Sequence, residues 1–495
     1  MKNTKRLAIL AFAIILVFTG MIPCACSEEN VTTEEAFSDW NPDSPASIKD
    51  KIAAMDGVLS IEAVGNNQSK WLPERYVVVV EQQIDWNDPD AGTFPQRVVV
   101  GIHPGANVNI LETNGYMIRE YELTADKQPE LCLLLNANHI RAEHRFSGES
   151  FPEGMNNDST EGWEYLTTEN ESGDYHHIYE IMSQAMDGQW VCYGRSRGGR
   201  ACVDYARHYQ DDMKGFIPYA GVNCNGLNDP RIMDFLDKAV GDNAFGKEEA
   251  ARRRKIIEDF LVECVKSRDH MEGPLWDAME KGGYSFPEWV TKERLFDLSL
   301  LEFQAVFWQI NGDIQEIEKV LAPADDDRQE KTAAKNDSMF TLLLLYGDPS
   351  SYSHEDPGFS YYAGALINEG NYAMDFSCLR AYLKKAGLED RLAVRPEEEK
   401  DLLKNFVLDE DQKDAFNFVP GHYEALDDFA KTTDANIVFI GGDLDPWSAV
   451  YIDGGDNPNF RRYIFTGKSH NTQISDFDRQ TQDEIVNTIK SWLQK

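Results

Sequence analysis

Cysteine is scarce in this chain, eight in 495 residues. There is no C-x-x-C pair and no H-E-x-x-H, so neither a disulfide framework nor a metal site is indicated. Positive charge is also short: 48 Lys and Arg stand against 85 Asp and Glu, a net charge of −37. A surface of that sign repels phosphate backbones and excludes nucleic acid as a partner. It suits the solubility of an exported protein. Past the first 26 residues no segment is long and apolar enough to span a bilayer, and no repeat of fixed period is visible. No motif calls for a cofactor. What remains is ordinary globular material with 42% hydrophobic residues, enough for two domains or one large domain carrying an insertion.

The N-terminus reads as an export signal. Lys2, Lys5 and Arg6 precede an apolar run from Leu7 to Val17 and on to Ile22, the layout of a segment removed from the mature protein. It ends in Pro23-Cys24-Ala25-Cys26-Ser27. A cysteine after a small residue at that place resembles a bacterial lipoprotein cleavage site, with Cys26 as the acceptor and acyl chains as the anchor. Residues 1–26 are therefore expected to be signal, and 27–46 a polar tether, on a periplasmic or outer-membrane protein.

The densest chemistry lies in Trp190-Val191-Cys192-Tyr193-Gly194-Arg195-Ser196-Arg197-Gly198-Gly199. An apolar run enters G-x-S-x-G, and a helix-like segment from Arg200 to Tyr209 follows. This is the pattern of a nucleophile elbow, in which a strand turns sharply into a helix with the serine at the apex. Gly194 and Gly198 sit where the turn leaves no room for side chains. The helix N-terminus would offer backbone N–H groups to a developing oxyanion. Far downstream, the buried-strand run Ala435 to Ile440 leads into Gly441-Gly442-Asp443-Leu444-Asp445-Pro446-Trp447. The next strand, Arg462 to Phe465, ends before Gly467-Lys468-Ser469-His470.

The order Ser, Asp, His is that of α/β-hydrolases among serine hydrolases. Ser196 needs a base to take its proton, and His470 is the candidate. Asp445 would orient the imidazole, with Asp443 as a rival better suited to bonding the turn backbone. The N–H of Arg197 is one expected oxyanion donor. A second is expected from the loop after Asn109-Ile110-Leu111, at Gly115 and Tyr116.

Strands are expected at Tyr76–Ile84 and Arg97–Ile102, which form a hairpin, and at Val108–Leu111, Leu131–Leu135 and Gly215–Tyr219. With a helix at Ile178–Met186, strands and helices alternate around Ser196, which implies a largely parallel sheet. From Asp229 the texture becomes helical and charged, with helices at Glu248–Lys266, Leu298–Gln309, Ile314–Leu321 and Tyr372–Lys385. The expected fold is an α/β-hydrolase core in two parts, 47–228 and 435–495. A large, mainly helical cap, 229–434, divides them, and an amphipathic helix at Asp478–Leu493 closes the chain.

Glu143-His144-Arg145-Phe146, the elbow, Leu444-Asp445-Pro446-Trp447 and the late His470 occur in this order. Together they resemble the secreted bacterial tripeptidyl aminopeptidases, relatives of lysosomal prolyl carboxypeptidase and dipeptidyl peptidase two. The resemblance implies an α/β-hydrolase that cleaves short peptides from free N-termini, with Asp445 as the triad acid and peptides as its partners. Such an exopeptidase needs a desolvated carboxylate for the substrate ammonium. Glu143 is the candidate, and the alternative for it is a structural ion pair with Arg145 or Arg141. Arg195 and Arg197 are expected to pair with the acidic surface, and His144, His176 and His177 to be surface or packing residues. An esterase or lipase on the same triad, and a non-catalytic binding lipoprotein, are the competing readings.

Overall fold

The computed structural model describes residues 47–155, 160–226, 229–322, 329–355, 364–367, 369–370, 375–399, 402–408, 413–415 and 418–494. The expected signal, the tether and Cys26 lie outside them. Nine strands form one sheet: β1 (Val58–Ala63), β2 (Glu74–Gln83), β3 (Thr93–Ile102), β4 (Val108–Thr113), β5 (Ala137–Ala142), β6 (Gln189–Arg195), β7 (Phe216–Tyr219), β8 (Ile437–Gly442) and β9 (Phe460–Phe465). Their spatial order is β1-β2-β3-β5-β4-β6-β7-β8-β9.

β2 and β3 pair antiparallel from Glu74 opposite Ile102 to Gln83 opposite Thr93, the hairpin expected from their valine runs. β3 also meets β5 antiparallel. From β5 across to β9 every pairing is parallel. The central strands β6, β7 and β8 are buried on both faces, as parallel strands covered by helices must be. One face carries the helices Thr168–Ala185 and Arg197–Tyr209, with Tyr175, Ile178, Val203 and Tyr205 in its core. The other carries the C-terminal helix Arg479–Trp492, whose Ile485, Ile489 and Trp492 are buried. This is an α/β-hydrolase.

Three expectations change. Leu131–Leu135 is not a strand; it belongs to a helix, Glu130–Leu135, ended by Asn136 in the left-handed region at φ 51°. Leu131, Cys132 and Leu135 are buried while Leu133 stays 46% exposed. That is helical spacing, which a five-residue apolar run does not reveal. The sheet strand follows immediately as β5. The helix expected at Ile178 begins ten residues earlier, at Thr168, with the Thr167 hydroxyl accepting the Asn170 N–H at 3.1 Å. Its first turns look polar, yet Asn170, Glu171, Ser172 and Asp174 are all buried. Finally, the cap does not run to 434. The helix His422–Thr432 buries Leu426 and Ala430 in the same core as the elbow helix, so the last helix before β8 is part of the sheet layer.

The cap's described helices include Lys247–Lys266, Lys292–Gln309, Ile314–Leu321, Gln329–Tyr346 and Ser377–Lys385. Phe260, Phe303, Phe307 and Tyr346 form an aromatic cluster among them. No described helix is long and apolar enough to cross a membrane.

Candidate active site

Ser196 stands between β6 and the helix Arg197–Tyr209 with φ 58° and ψ −125°. That region is costly for any residue but glycine and persists only where surrounding structure enforces it. Here the Ser196 N–H donates to the Tyr219 carbonyl on β7 at 2.8 Å. The flanking glycines allow backbone to close around the turn. A Cβ on Gly194 would lie 2.0 Å from the Gly198 carbonyl oxygen, and one on Gly198 would lie 2.2 Å from that of Thr113. Thr113, at the end of β4, donates from Oγ1 to the Gly198 carbonyl at 2.8 Å and so ties the elbow to the loop that follows β4.

That loop is Asn114-Gly115-Tyr116. Gly115 lies so close to the elbow that a Cβ there would meet the Gly198 nitrogen at 2.7 Å and Arg197 Cβ at 2.9 Å. Its carbonyl accepts from Arg197 Nη1. The Tyr116 carbonyl accepts the His144 N–H at 3.1 Å and Asn114 Nδ2 at 2.7 Å. The backbone segments expected to supply both oxyanion donors are therefore in contact.

Asp445 follows β8 and is fully buried. Its Oδ1 accepts the Trp447 N–H at 3.3 Å, and its Oδ2 faces His470 Nδ1 at 2.6 Å. The Tyr451 hydroxyl also donates to Oδ2. Burial and the adjacent Asp445 carboxylate push that phenol well above its ordinary range, so it remains a donor. A nitrogen facing a carboxylate this closely carries the proton, which leaves Nε2 of the neutral ring as the acceptor. The base loop is pinned to the cap: the His470 N–H and Ser469 Oγ both donate to the Gln309 carbonyl, at 3.3 and 2.7 Å. The base and acid loops also touch closely, since a Cβ on Gly442 would lie 2.2 Å from the Lys468 carbonyl oxygen.

A strained serine at an elbow, a buried carboxylate and an imidazole oriented by it are the parts of a hydrolase that works through an acyl-enzyme. A sequence profile of the PS-10 peptidase S37 family matches residues 42–492. The chain belongs to this family. It is thus a serine peptidase. A prolyl tri/tetrapeptidyl aminopeptidase from Streptomyces mobaraensis is 22% identical over 469 residues, covering 93% of this chain and 87% of the relative. Among solved structures, a proline iminopeptidase from Mycobacterium smegmatis aligns over 88% of this chain and 99% of its own, at 11% identity and TM-score 0.34. A rice cell wall degrading esterase from Xanthomonas oryzae aligns over 88% and 98%, at 10% identity and TM-score 0.35.

In this S37 peptidase the rival acid, Asp443, bonds the turn: its Oδ1 accepts the Gly467 N–H at 2.7 Å. Glu143 corrects an expectation. It is fully buried, and both carboxylate oxygens are occupied within the fold. Oε1 accepts Arg97 Nη2 at 2.6 Å and the Ile118 N–H at 2.7 Å; Oε2 accepts the Glu149 N–H at 3.0 Å and Ser150 Oγ at 2.7 Å. A substrate ammonium would have to displace these donors, so Glu143 is a structural residue, and its ion pair is with Arg97. Arg145 is likewise internal, forked onto Asp174 at 2.8 and 2.7 Å. The Glu-His-Arg block is scaffold.

The two arginines beside Ser196 do not face the acidic surface. Arg195 donates to the carbonyls of His470 at 2.7 Å and Thr472 at 3.2 Å, with its guanidinium 4.8 Å over the Tyr219 ring. Tyr219 in turn donates to Glu130 at 2.9 Å, and Glu130 accepts the Ile474 N–H at 2.6 Å. The residue before the serine thus braces the loop that carries the base. Arg197 is buried and paired with Glu369 of the cap, Nε to Oε2 at 2.8 Å and Nη2 to Oε1 at 2.5 Å.

His144, buried rather than superficial, accepts from Arg197 Nη2 at 2.8 Å through Nε2. His176 and His177 are packing residues, bonded to Asp212 at 2.7 Å and Gln82 at 2.9 Å. His144, Glu171 and Glu369 bring ligand-type atoms within 4.8 Å of one another. The Arg197 guanidinium bonds two of the three, so the cation among them is the protein's own. The described cysteines are all free. Glu369, Tyr451 and Thr113 carry no sequence signature; each is recognised only by what it touches.

Proposed function

We propose that this protein is a serine exopeptidase that releases short peptides, of two or three residues, from free N-termini. In this reading Ser196 Oγ attacks the scissile carbonyl while His470 Nε2 takes its proton. Asp445 holds the ring and stabilises the imidazolium, and the same proton then passes to the leaving amine. The N–H of Arg197 and the backbone at Gly115–Tyr116 receive the oxyanion. Water then repeats the sequence on the acyl-enzyme. The observation that carries the proposal is the 2.6 Å contact of His470 Nδ1 with the buried Asp445, behind a serine held at positive φ. The exopeptidase part rests on the name of the Streptomyces relative and on the four sequence blocks.

The test is incubation of a form lacking the first 26 residues with mixed peptides, products being read by mass spectrometry beside Ser196→Ala. N-terminal di- or tripeptides from the wild type alone support the reading. Cleavage of p-nitrophenyl esters but of no peptide would replace it with an esterase. We further infer export and lipid attachment at Cys26, supported by the basic and apolar N-terminus. Intact-mass analysis of membrane-extracted protein should show acylation that Cys26→Ser abolishes.

A further inference from the structure

The Arg197 side chain joins three parts of the molecule. Its backbone follows the nucleophile, Nη1 donates to the carbonyl of Gly115, and Nη2 donates to His144 Nε2. Nε and Nη2 are held by Glu369, 172 residues away on the cap. His144 is fixed in turn, with Nδ1 donating to the Arg145 carbonyl at 2.7 Å and Nε2 also 3.3 Å from Glu171 Oε1.

Glu369 is itself held. Its carbonyl accepts Arg200 Nη1 at 2.6 Å from the elbow helix. The next residue, Gly370, has φ 74° and packs so closely on the strand-following segment that a Cβ would lie 2.7 Å from the Gly226 carbonyl oxygen. Arg197 and Glu369 are both buried. Removing one member of such a pair strands the other's charge, so the pair either holds its geometry or the surroundings rearrange.

We propose that Glu369 is a positioning residue of the hydrolytic reaction. It holds the Arg197 guanidinium against the Gly115 carbonyl and so sets the spacing of the two backbone segments that receive the oxyanion. This rests on the reading of Ser196 as nucleophile. Without the carboxylate the guanidinium loses the charge partner that fixes Nε and Nη2. Its bond to the Gly115 carbonyl is then no longer held in place, and Thr113 Oγ1 is left to tie the elbow to this loop. The contact between His470 and Asp445 does not involve Glu369. The expected signature is therefore loss of turnover with substrate affinity kept.

The experiment compares wild type with Glu369→Gln, which keeps the shape and removes the charge, and Glu369→Asp, which keeps the charge and shortens the reach. Active sites are titrated with a fluorophosphonate, so a folding defect is counted out. Turnover per titrated site is then measured on a free-N-terminus peptide and on a small ester. Glu369→Gln should lower kcat roughly 10- to 100-fold on both substrates, the scale of a misplacement near 1 Å, with KM within about twofold. Glu369→Asp should recover part of the loss.

Unchanged kcat per titrated site in both variants would overturn the proposal. So would a raised KM confined to the free-N-terminus peptide, which would make Glu369 a substrate contact. A wild type that neither labels nor turns over would overturn the reading of Ser196 instead, and this inference with it.

Discussion

The elbow makes a demand that can be tested at one atom. Replacing Gly194 with alanine adds a Cβ 2.0 Å from the Gly198 carbonyl oxygen, 2.5 Å from its carbon and 2.4 Å from Thr113 Oγ1. Contacts under 3.0 Å are not tolerated, and two of these three atoms are backbone, so no side chain can swing away. The backbone must open by about 1 Å at least. Gly194 and Gly198 each lie two residues from Ser196, so the displacement falls on the nucleophile and on the Arg197 N–H together. A misplacement of that size costs about 10²-fold in rate, and forced overpacking costs roughly 1–3 kcal/mol of stability. Gly194→Ala should therefore lose about 100-fold or more in kcat per fluorophosphonate-titrated site, with a lower Tm. Gly65→Ala serves as control, since nothing lies within 4 Å of its Cβ position; it should behave as wild type. A Gly194→Ala protein within threefold of wild-type turnover would refute the reasoning, because the elbow would then have slack that the packing denies.

The two acids separate cleanly. Asp445→Asn turns an amide toward His470 Nδ1 and disfavours the needed tautomer, so kcat should fall by about 10³–10⁴-fold, while Asp443→Asn should stay within about tenfold; the reverse ranking would reassign the acid. Arg195→Lys keeps the charge but cannot reach both the His470 and Thr472 carbonyls as a fork. We expect turnover to fall about 10-fold at unchanged KM, and wild-type kinetics would show that the base loop needs no brace. Asp348, buried in the cap, has its carboxyl pushed by burial from 3.8 up to about 6 against the Ser351 and Ser350 donors. A raised folded-state value means ionisation costs the native state, a penalty present above about pH 6 and gone below about pH 4. Asp348→Asn should therefore raise stability at pH 8 by up to about 3 kcal/mol and leave it unchanged at pH 4. Equal gains at both pH values in thermal denaturation would rule the titration out.

The order of serine, acid and histidine was legible because each sits on a short local pattern. Glycines crowd one serine after an apolar run, and an acid or a histidine follows each of two β-rich segments. The hairpin of β2 and β3 and four cap helices were legible for the same reason, a hydrophobic period sustained over enough residues. Leu131–Leu135 was not, since five apolar residues fit a helix or a strand equally. The polar start of the helix Thr168–Ala185 hid its burial, because Glu171 is buried against His144 and Tyr175 and Asp174 against Arg145, polar partners rather than apolar ones.

What the chain by itself determined is therefore the set of positions where the backbone must be special: the elbow, the glycine-lined turn before Asp445, and the alternation that makes a parallel sheet. These are demands of sterics and period, and they act over a few residues. Only the tertiary structure decided which charges meet. Glu143 looked available to a substrate until Arg97, Ile118, Glu149 and Ser150 were seen to enclose it. Arg195 and Arg197 looked like surface cations until one was found on the histidine loop and the other on Glu369. A buried charge is settled by whichever opposite group or carbonyl the fold brings within 3 Å, and the partner of Arg197 lies 172 residues along the chain. No local pattern carries that distance.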